Sequence, residues 1–413
     1  MRQLVKKILT ALPSPIKSFL ISLRESVYYL LAEYKERKNY PKLPQRVGDN
    51  KVKNILVYHI SGMFYAGTEK TLQLIANGLA DEYNVYFMYS SKTNFSQRQK
   101  DLMRKKVTLI EFSYDNVEAK PPHFINGMHP HIRQVLEDKK IDLIVTSSSG
   151  HAHYPWNVIR DIPIILVNIF GSPSVQKNII ARVFISKEIQ DYSERFTGPV
   201  ASNLWAHLAV STEREESEAS KKEVRERLKI PEGSFVFGRI GRGEDSIFDP
   251  IGINAFKNVV KKYPHAQYLI LSPPPILRKI VEEESIPNVY FMSDKEDIWD
   301  FYYSIDALAH FRFDGETFGL NIAEAMYAGN PIISHVSHIW NAHLEYLKDT
   351  FSRVAKKDDV KAYAAYMEEF LNLATNEKSR WLAMRDEAKR AARKNFSKEV
   401  YIQKIKAILQ KHD

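Results

Sequence analysis

The 413-residue sequence contains no cysteine, which excludes disulfide bonds and cysteine-based metal sites. This absence agrees with a protein of the reducing cytoplasm, where we expect the chain to work. No apolar run approaches the roughly 20 residues that a transmembrane helix needs. A signal peptide is not expected, because Pro13 and Pro15 interrupt the apolar segment after Lys7. The length suits two domains of ordinary size with additional segments.

Positive charge is concentrated in residues 1–50. They hold ten Lys or Arg and four Asp or Glu, and so carry six of the nine net positive charges. Apolar residues such as Phe19, Leu23, Val27 and Leu30 recur there at helical spacing. This basic amphipathic extension either lies in the plane of an anionic membrane surface or packs on the following domain with its basic face outward. No nucleic-acid recognition motif accompanies the charge, and we expect no nucleic-acid partner.

Apolar runs of strand length alternate with helical patterns through the rest of the chain. Residues 51–215 begin with the strand pattern 54–60, and a second alternating region fills residues 216–395. The charged stretch 213–222 lacks large apolar residues and is predicted to link the two regions. Residues 396–413 close the chain as a helix. This alternation predicts an α/β protein with parallel sheets.

The most informative stretch is 311–336, with the sequence FRFDGETFGLNIAEAMYAGNPIISHV. It reads as a loop after a buried strand, then a short helix, and then the next strand. The loop carries Glu316 and the helix carries Glu324, at the carboxyl end of a strand where open α/β sheets bind ligands. The free N–H groups at the helix start favour an anion. Carboxylates for hydroxyl groups and amides for phosphate together suit a sugar nucleotide.

The order of motifs in this stretch resembles a known enzyme family. Glu316 and Glu324 form an E-x7-E pattern that contains T-F-G-L, and A-M-x-A-G-x-P follows at 325–331. These motifs resemble the retaining glycosyltransferases of the GT4 type, the glycosyl transferases group 1. The resemblance is specific within 311–336 and extends more loosely over about 54–410.

The resemblance implies the GT-B fold, in which two Rossmann-like domains face each other across a cleft with parallel sheets. In this chain the basic amphipathic N-terminal helical extension is added at 1–50. An acceptor domain is then expected at 51–215 and a nucleotide-sugar donor domain at 216–395. The helix at 396–413 is expected to cross back to the first domain.

Further residues of the first domain follow from the resemblance. Ala66-Gly67-Thr68-Glu69 is similar to the G-G-x-E loop of the family, with alanine in place of the first glycine. Gly67 is therefore the candidate for a close backbone approach to the donor phosphates. The family places a histidine near the transferred sugar, and His151 and His153 are the candidates. As a metal site this pair lacks an obvious third ligand.

The second domain supplies the charges that the resemblance assigns to the donor diphosphate. Gly238-Arg239-Ile240 is similar to the G-R-L signature, and Arg239 with Arg242 would hold the diphosphate. A lysine of the family is expected near Ile247 and is missing, so Arg242 is the candidate to replace it. Met292 would lie beside the nucleotide base.

The mechanism implied is sugar transfer with retention of the anomeric configuration. Glu316 would hold hydroxyls of the donor sugar and Glu324 the ribose. Negative charge on the leaving diphosphate would be stabilised by the two arginines and by the amides that follow Glu316. Those amides belong to Thr317, Phe318, Gly319 and Leu320. No Asp-x-Asp pair occurs in the sequence, so we expect no obligatory divalent metal, and no cofactor besides the nucleotide-sugar substrate.

The acceptor is expected to be a hydroxyl of a glycan or of a lipid-linked molecule, in cell-envelope polysaccharide or glycolipid synthesis. Three alternatives stay open at this point: a sugar-nucleotide epimerase of the same architecture, a non-catalytic sugar-nucleotide-binding subunit, and a membrane-surface scaffold that acts through residues 1–50. The missing lysine and the altered G-G-x-E loop favour the second of these. Fold alone does not decide among them.

Overall fold

The computed structural model describes most of the chain between residues 53 and 411. The described residues are Tyr34, Lys38, Met63, 53–58, 67–89, 95–111, 130–148, 155–159, 161–171, 178–200, 202–210, 218–293 and 297–411. The amphipathic extension predicted at 1–50 lies outside them, apart from Tyr34 and Lys38. They divide into two compact units. The first holds the described residues up to Phe184 with 190–204 and 405–411, and the second holds Ile185–Ile189 and 205–404.

The first unit contains, in its described part, a seven-stranded sheet with helices in the connections. Its elements are β1 (Asn54–Tyr58), α1 (Gly67–Leu79), β2 (Asn84–Tyr89), α2 (Gln97–Asp101), β3 (Thr108–Glu111), α3 (Pro130–Asp138), β4 (Leu143–Ser148), β5 (Ile164–Asn168), β6 (Ile179–Phe184), α4 (Lys187–Thr197) and β7 (Leu204–Trp205). The strand order is β3-β2-β1-β4-β5-β6-β7, and the pairings from β1 to β6 are parallel. All residues of β1, β4 and β5 are buried, as expected for central parallel strands.

The second unit contains, in its described part, a six-stranded sheet and a two-stranded pair. Its elements are α5 (Glu218–Arg227), β8 (Phe235–Ile240), α6 (Ile251–Lys262), β9 (Ala266–Leu271), α7 (Pro275–Glu283), β10 (Val289–Met292), α8 (Ile298–Ser304), β11 (Ala307–Ala309), β12 (Gly315–Glu316), α9 (Leu320–Tyr327), β13 (Ile332–His335), β14 (Trp340–Asn341), β15 (Ser352–Ala355), α10 (Val360–Asn376), α11 (Lys378–Phe396) and α12 (Lys398–Lys411). The larger sheet has the order β10-β9-β8-β11-β13-β15 and is parallel; β12 pairs with β14.

Both sheets follow the same winding. Counted within each large sheet, the first six strands lie in the order 3-2-1-4-5-6, which is the order of the Rossmann fold. The winding reverses between β1 and β4 in the first unit and between β8 and β11 in the second. In such sheets ligands bind outside the carboxyl ends of the strands at this reversal. The predicted α/β architecture of two Rossmann-like domains is therefore confirmed.

Close packing beside β8 depends on a residue without a side chain. A Cβ atom on Gly238 would lie 2.5 Å from Cδ1 of Ile305 and 2.9 Å from Cζ of Phe301. Real Cβ contacts are essentially never this short, so only glycine lets α8 and the start of β11 pack so closely on β8. This packing holds the two strands that flank the reversal.

The segment from Trp205 to Val210 belongs to the second unit, upstream of the predicted bound at residue 216. The His207 ring stacks on Phe318, with ring centroids 5.3 Å apart. The N–H of Val210 donates to the carbonyl of Phe396 at 2.8 Å. Of α12, residues 398–404 belong to the second unit and 405–411 to the first. Among the described helices, none is both long and apolar enough to span a membrane.

Candidate active site

The site forms where β8 and β11 end, at the reversal of the second sheet. Arg239 is the second-last residue of β8, and His310 and Phe311 follow β11 directly. The short strand β12 carries Glu316, and the α9 helix starts four residues later. Parallel strands that end at one edge therefore bring a cation, a carboxylate and a helix N-terminus together.

Arg239 is a buried cation with two nitrogen atoms that make no hydrogen bond within the described residues. Its side chain is 1% exposed, and its Nε and Nη1 atoms have no hydrogen-bond partner among the described residues. The guanidinium carbon lies 5.2 Å from the centroid of the Phe311 ring, a cation–π contact. Burial lowers the pKa of Arg239 from its ordinary value to about 10. The group thus stays charged at neutral pH, and an anion beside it would satisfy the open donors.

Two glycines leave room around this guanidinium. A Cβ on Gly252 would lie 2.1 Å from Cδ1 of Phe311, so the α6 helix can pack against this ring only with glycine there. A Cβ on Gly241 would lie 3.1 Å from Nη2 of Arg239. The backbone of Gly241 therefore passes directly beside the guanidinium and leaves its flank free of side-chain atoms.

Glu316 is a buried carboxylate between two nitrogen groups. Its Oε1 lies 3.5 Å from Nη1 of Arg312 and 3.5 Å from Nε2 of His310. Burial raises the pKa of Glu316, while Arg312 opposes this effect. Arg312 is itself bound to Asp314 through Nε at 2.5 Å and Nη2 at 2.9 Å. The carboxylate is thus oriented by its surroundings but keeps capacity to accept hydrogen bonds from a ligand.

His310 is held as the neutral tautomer that faces Glu316. Nδ2 of Asn321 lies 3.4 Å from Nδ1 of His310 and also donates to the carbonyl of Ile240 at 3.1 Å. With Nδ1 accepting, the proton of His310 resides on Nε2, which points toward Glu316. Burial, together with His343, lowers the pKa of His310 well below its ordinary value. His310 is therefore a neutral hydrogen-bond donor at neutral pH.

The N-terminus of α9 is shaped by Gly319, which has a φ of +86°. This left-handed conformation suits glycine, since other residues adopt it with strain. The hydroxyl of Tyr346 donates to the carbonyls of Phe318 at 2.6 Å and Gly319 at 3.1 Å. Because the carbonyls are held on one side, the first-turn N–H groups face the other way, where a helix N-terminus attracts anions.

Glu324 lies one turn further along α9 and is also buried. Its Oε2 accepts a hydrogen bond from the hydroxyl of Tyr302 at 2.8 Å. Tyr302 comes from α8, and its carbonyl accepts from Nδ2 of Asn330 at 2.7 Å. One face of α9 therefore presents a second ordered carboxylate.

The chain is similar to known glycosyltransferases in sequence and in fold. Residues 220–395 match the family model of glycosyl transferases group 1. A glycosyltransferase from Rickettsia africae ESF-5 superposes with a TM-score of 0.69 at 13% identity, covering 88% of this chain and 99% of that one. The chain has the GT-B fold.

Two further GT-B structures support the same assignment. The Anabaena protein Alr3699/HepE, solved in complex with UDP-glucose, has a TM-score of 0.65 at 16% identity, with 87% of this chain and 99% of that chain covered. WaaG, a glycosyltransferase involved in lipopolysaccharide biosynthesis, has a TM-score of 0.60 at 12% identity, with 82% and 95% covered. Sequence identities this low show a similarity of fold alone. Among curated proteins, none matches the sequence.

Several of the predicted site residues of this GT-B chain come together in the second unit. Arg239, Glu316 and the backbone from Thr317 to Leu320 lie at the same sheet edge, and Glu324 follows on α9. Arg242 lies in the loop after β8 but is exposed, and its Nη1 is 3.2 Å from Oε1 of Glu244.

Other predicted residues lie apart from this cluster or outside the described residues. Met292 ends β10, which is two strands away from β8 at the sheet margin, and its side chain is buried. Gly67 begins α1 of the first unit, where its carbonyl accepts from the hydroxyl of Thr71 at 2.8 Å. His151 and His153 lie outside the described residues.

Sequence patterns missed the residues that orient the carboxylates. Arg312 and Asn321 lie within the stretch 311–336, but at positions that its motifs do not define. Tyr302 and Tyr346 lie outside that stretch and belong to no motif. His310 was visible only as the end of an apolar run. A polar residue that ends a buried run before a ligand loop is a usable signal, and it would have indicated His310.

Proposed function

We propose that this GT-B protein transfers a sugar from a nucleotide-diphosphate sugar to a hydroxyl acceptor with retention of configuration. The observation that carries the proposal is the buried Arg239 guanidinium, whose Nε and Nη1 have no hydrogen-bond partner among the described residues. Charged donors are left open inside a protein mainly where a ligand satisfies them, since the cost otherwise exceeds 1 kcal/mol or so for each group. A diphosphate is an anion of suitable charge for this place.

The neighbouring groups fit the other parts of such a donor. Glu316 lies beside the Arg239 site and can accept hydrogen bonds from hydroxyls of the transferred sugar. His310 can donate from Nε2 to the carboxylate, as its 3.5 Å distance from Oε1 of Glu316 allows after a small adjustment. Glu324, oriented by Tyr302, is proposed to hold the ribose hydroxyls.

The bond changes of the proposed reaction balance without a further reactant. The bond between the sugar C1 and the diphosphate oxygen breaks, and its electron pair stays on the diphosphate. The acceptor oxygen forms the new bond to C1 on the same face, and its proton passes to the departing diphosphate. Arg239 and the first-turn amides of α9 would stabilise the growing negative charge, an effect that mutations of comparable donors place at about 10²–10³ in rate.

These positive groups lead us to propose that transfer proceeds without a divalent metal ion. Addition of Mg²⁺ or Mn²⁺ to protein treated with EDTA should not raise its turnover. Loss of turnover in EDTA that Mg²⁺ or Mn²⁺ restores would show that the metal-independent mechanism is wrong.

The acceptor is proposed to be a glycan or lipid-linked hydroxyl of a cell-envelope pathway, reached from the cytoplasm. Support comes from the similarity in fold to WaaG, a glycosyltransferase involved in lipopolysaccharide biosynthesis, and from the basic composition of residues 1–50. Sedimentation with vesicles of anionic or neutral lipids, using the full chain and a chain without residues 1–50, tests the membrane contact. Equal binding of both chains would speak against it.

A non-catalytic sugar-nucleotide-binding subunit is the second candidate. Ile247 is a buried aliphatic residue near the place where the family has a lysine, and Arg242 is turned to Glu244. The diphosphate site would then have one cation fewer than the same site in the family that the chain resembles. Tight donor binding without turnover on any acceptor would support this candidate.

The test is a binding and hydrolysis screen with UDP-, GDP- and ADP-sugars, starting with UDP-glucose. Wild type is compared with Glu324→Gln and with Glu283→Gln, a control on the exposed face of α7. We expect one nucleotide to bind wild type and the control equally, and Glu324→Gln at least tenfold more weakly. Product NMR then reports the anomeric configuration. If no nucleotide sugar binds, or if Glu324→Gln binds as well as wild type, the donor assignment is wrong.

A further inference from the structure

A cluster of one histidine and two aspartates lies beside the loop between β11 and β12, which leads to Glu316. Asp249 lies two residues before the start of α6, His338 lies between β13 and β14, and Asp358 lies between β15 and α10. Nε2 of His338 is 3.9 Å from Oδ2 of Asp249 and 3.3 Å from Oδ1 of Asp358. All three ligand atoms lie within 4.8 Å of one another. Three separate segments thus bring potential metal ligands to one point.

The spacing suits a small divalent ion. Two atoms that each lie about 2.0–2.2 Å from a tetrahedral Zn²⁺ are about 3.3–3.6 Å apart. The His338–Asp358 distance of 3.3 Å already meets this spacing, and the His338–Asp249 distance of 3.9 Å is a few tenths of an ångström too long. One imidazole and two carboxylates form a donor set that transition metals accept. Asp358 is the exposed residue of the three, so an ion could enter the site from the solvent beside it.

Asp249 offers a second and independent observation. Its side chain is 94% buried, and its Oδ1 accepts from the N–H of Ile251 at 2.9 Å. Its Oδ2 accepts no hydrogen bond from any residue that the structure describes. The two groups that face this oxygen are the imidazoles of His338 at 3.9 Å and His335 at 4.0 Å.

The His335 imidazole has no proton to offer to Asp249. The backbone N–H of Arg312 donates to its Nε2 at 3.2 Å, and its Nδ1 lies 3.2 Å from the carbonyl of Val336. Nε2 is therefore an acceptor, and the ring proton resides on Nδ1. The Asp249 oxygen gains no hydrogen bond from the lone pair of His335, so a positive charge beside it would be favourable. A cation bound between Asp249, His338 and Asp358 would supply it.

The His338 ring is also fixed in the orientation that such a site needs. It stacks on Phe313 with centroids 4.1 Å apart and an angle of 20° between the ring planes. The N–H of His338 donates to the carbonyl of Phe313 at 3.0 Å. Phe313 belongs to the loop between β11 and β12, so an ion held by His338 would fix the segment that leads to Glu316.

We propose that Asp249, His338 and Asp358 bind a divalent transition-metal ion, with Zn²⁺ as the first candidate, in a site separate from the donor site. The ion joins the start of α6, the loop after β13 and the turn before α10. Its role is to hold the loop between β11 and β12 in place. The inference does not depend on the proposed sugar transfer.

The test measures metal binding directly on the full chain. Protein freed of metal with EDTA and dialysed is titrated with ZnCl₂ by calorimetry, and its thermal midpoint is recorded with and without Zn²⁺. Asp358→Asn is the central variant, because the residue is exposed and its φ of +61° is one that asparagine tolerates. His338→Gln removes the imidazole, and His265→Gln is the matched control at an exposed histidine.

We expect wild type and His265→Gln to bind one Zn²⁺ per chain and to gain thermal stability from it. Asp358→Asn and His338→Gln should bind at least tenfold more weakly and lose this gain. Equal Zn²⁺ binding by all four proteins would place the ion elsewhere and overturn the proposal. No uptake by wild type at about 0.1 mM free Zn²⁺ would also overturn the proposal.

Discussion

Replacement of Arg239 by methionine should stabilise the ligand-free protein and abolish its binding of a nucleotide sugar. Methionine has a similar length and no polar atoms, so it can fill the space between Phe311 and Gly241. The guanidinium that it replaces is buried, and its Nε and Nη1 make no hydrogen bond with a described residue. Stability and binding should therefore change in opposite directions at this position.

The magnitude follows from the pKa of Arg239, which burial lowers by more than two units to about 10. Since each tenfold change in a proton equilibrium corresponds to about 1.4 kcal/mol, the buried charge costs about 3 kcal/mol. Methionine removes this cost but loses the cation–π contact with Phe311, which contributes about 1–2 kcal/mol. The free energy of unfolding should thus rise by about 1–2 kcal/mol. Binding of the donor should weaken by at least a hundredfold, as expected for loss of a charged hydrogen-bonding group.

Arg225 is the control, because it is an arginine with an ion-pair partner, at the amino ends of the strands. Its Nη2 is 2.9 Å from Oδ2 of Asp306, and its Nε donates to the carbonyl of Ser304 at 2.9 Å. Arg225→Met leaves Asp306 with Lys221 as its remaining cation, at 3.1 Å. We expect a loss of about 2–3 kcal/mol of stability, since a buried charge loses one partner. Donor binding should remain unchanged.

The two variants and wild type are compared by urea unfolding without ligand and by calorimetry with UDP-glucose, or with whichever nucleotide sugar the screen selects. The opposite signs of the two stability changes are the decisive result. If Arg239→Met is destabilised by more than 1 kcal/mol and still binds the donor normally, then Arg239 is a structural residue. The argument from its open donors would then be refuted.

Two further predictions concern stability in the second unit. Gly315 has a φ of +72°, and a Cβ there would lie 1.8 Å from the carbonyl oxygen of Trp340. Gly315→Ala should therefore lower the free energy of unfolding in urea by at least about 2 kcal/mol. The control is Gly233→Ala, at a glycine with a φ of +75° and open space around it, where we expect a loss of about 1 kcal/mol. Burial lowers the pKa of His343 to about 4. Between pH 6.5 and 4 this histidine binds a proton in the unfolded chain but not in the folded one. The free energy of unfolding therefore falls as the pH falls through this range. His343→Gln should remove about 2 kcal/mol of the change in unfolding free energy between pH 7 and 5, and an unaltered pH dependence would contradict the assignment.

The sequence predicted those parts of the fold that depend on local pattern. Apolar runs marked the buried parallel strands, and the loop after the run at 305–310 placed Glu316 at a sheet edge. The E-x7-E spacing put Glu324 on the following helix, where the structure has it. Each of these inferences uses neighbours in the chain, for which periodicity and turn residues carry the information.

Contacts between distant segments could not be predicted in the same way. The partners of Glu316 and Glu324 depend on which side chains the winding brings to one edge. The association of Trp205–Val210 with the second unit rests on the packing of His207 against Phe318, for which the local sequence has no signal. Asp249, His338 and Asp358 likewise look like surface polar residues until β13, β15 and α6 are placed side by side.

The charges of the second unit follow one rule that joins its structure to its proposed chemistry. Asp306 is buried and accepts from Arg225, Lys221 and the N–H of Val236, so its charge is compensated within the fold. Arg239 and Asp249 are also buried. Among the described residues, Nε and Nη1 of Arg239 make no hydrogen bond, and Oδ2 of Asp249 faces the imidazoles of His338 and His335 at 3.9 Å and 4.0 Å. Such groups cost stability, and a ligand or an ion that binds beside them offsets this cost. This is the physical basis on which we propose an anion beside Arg239 and a cation beside Asp249.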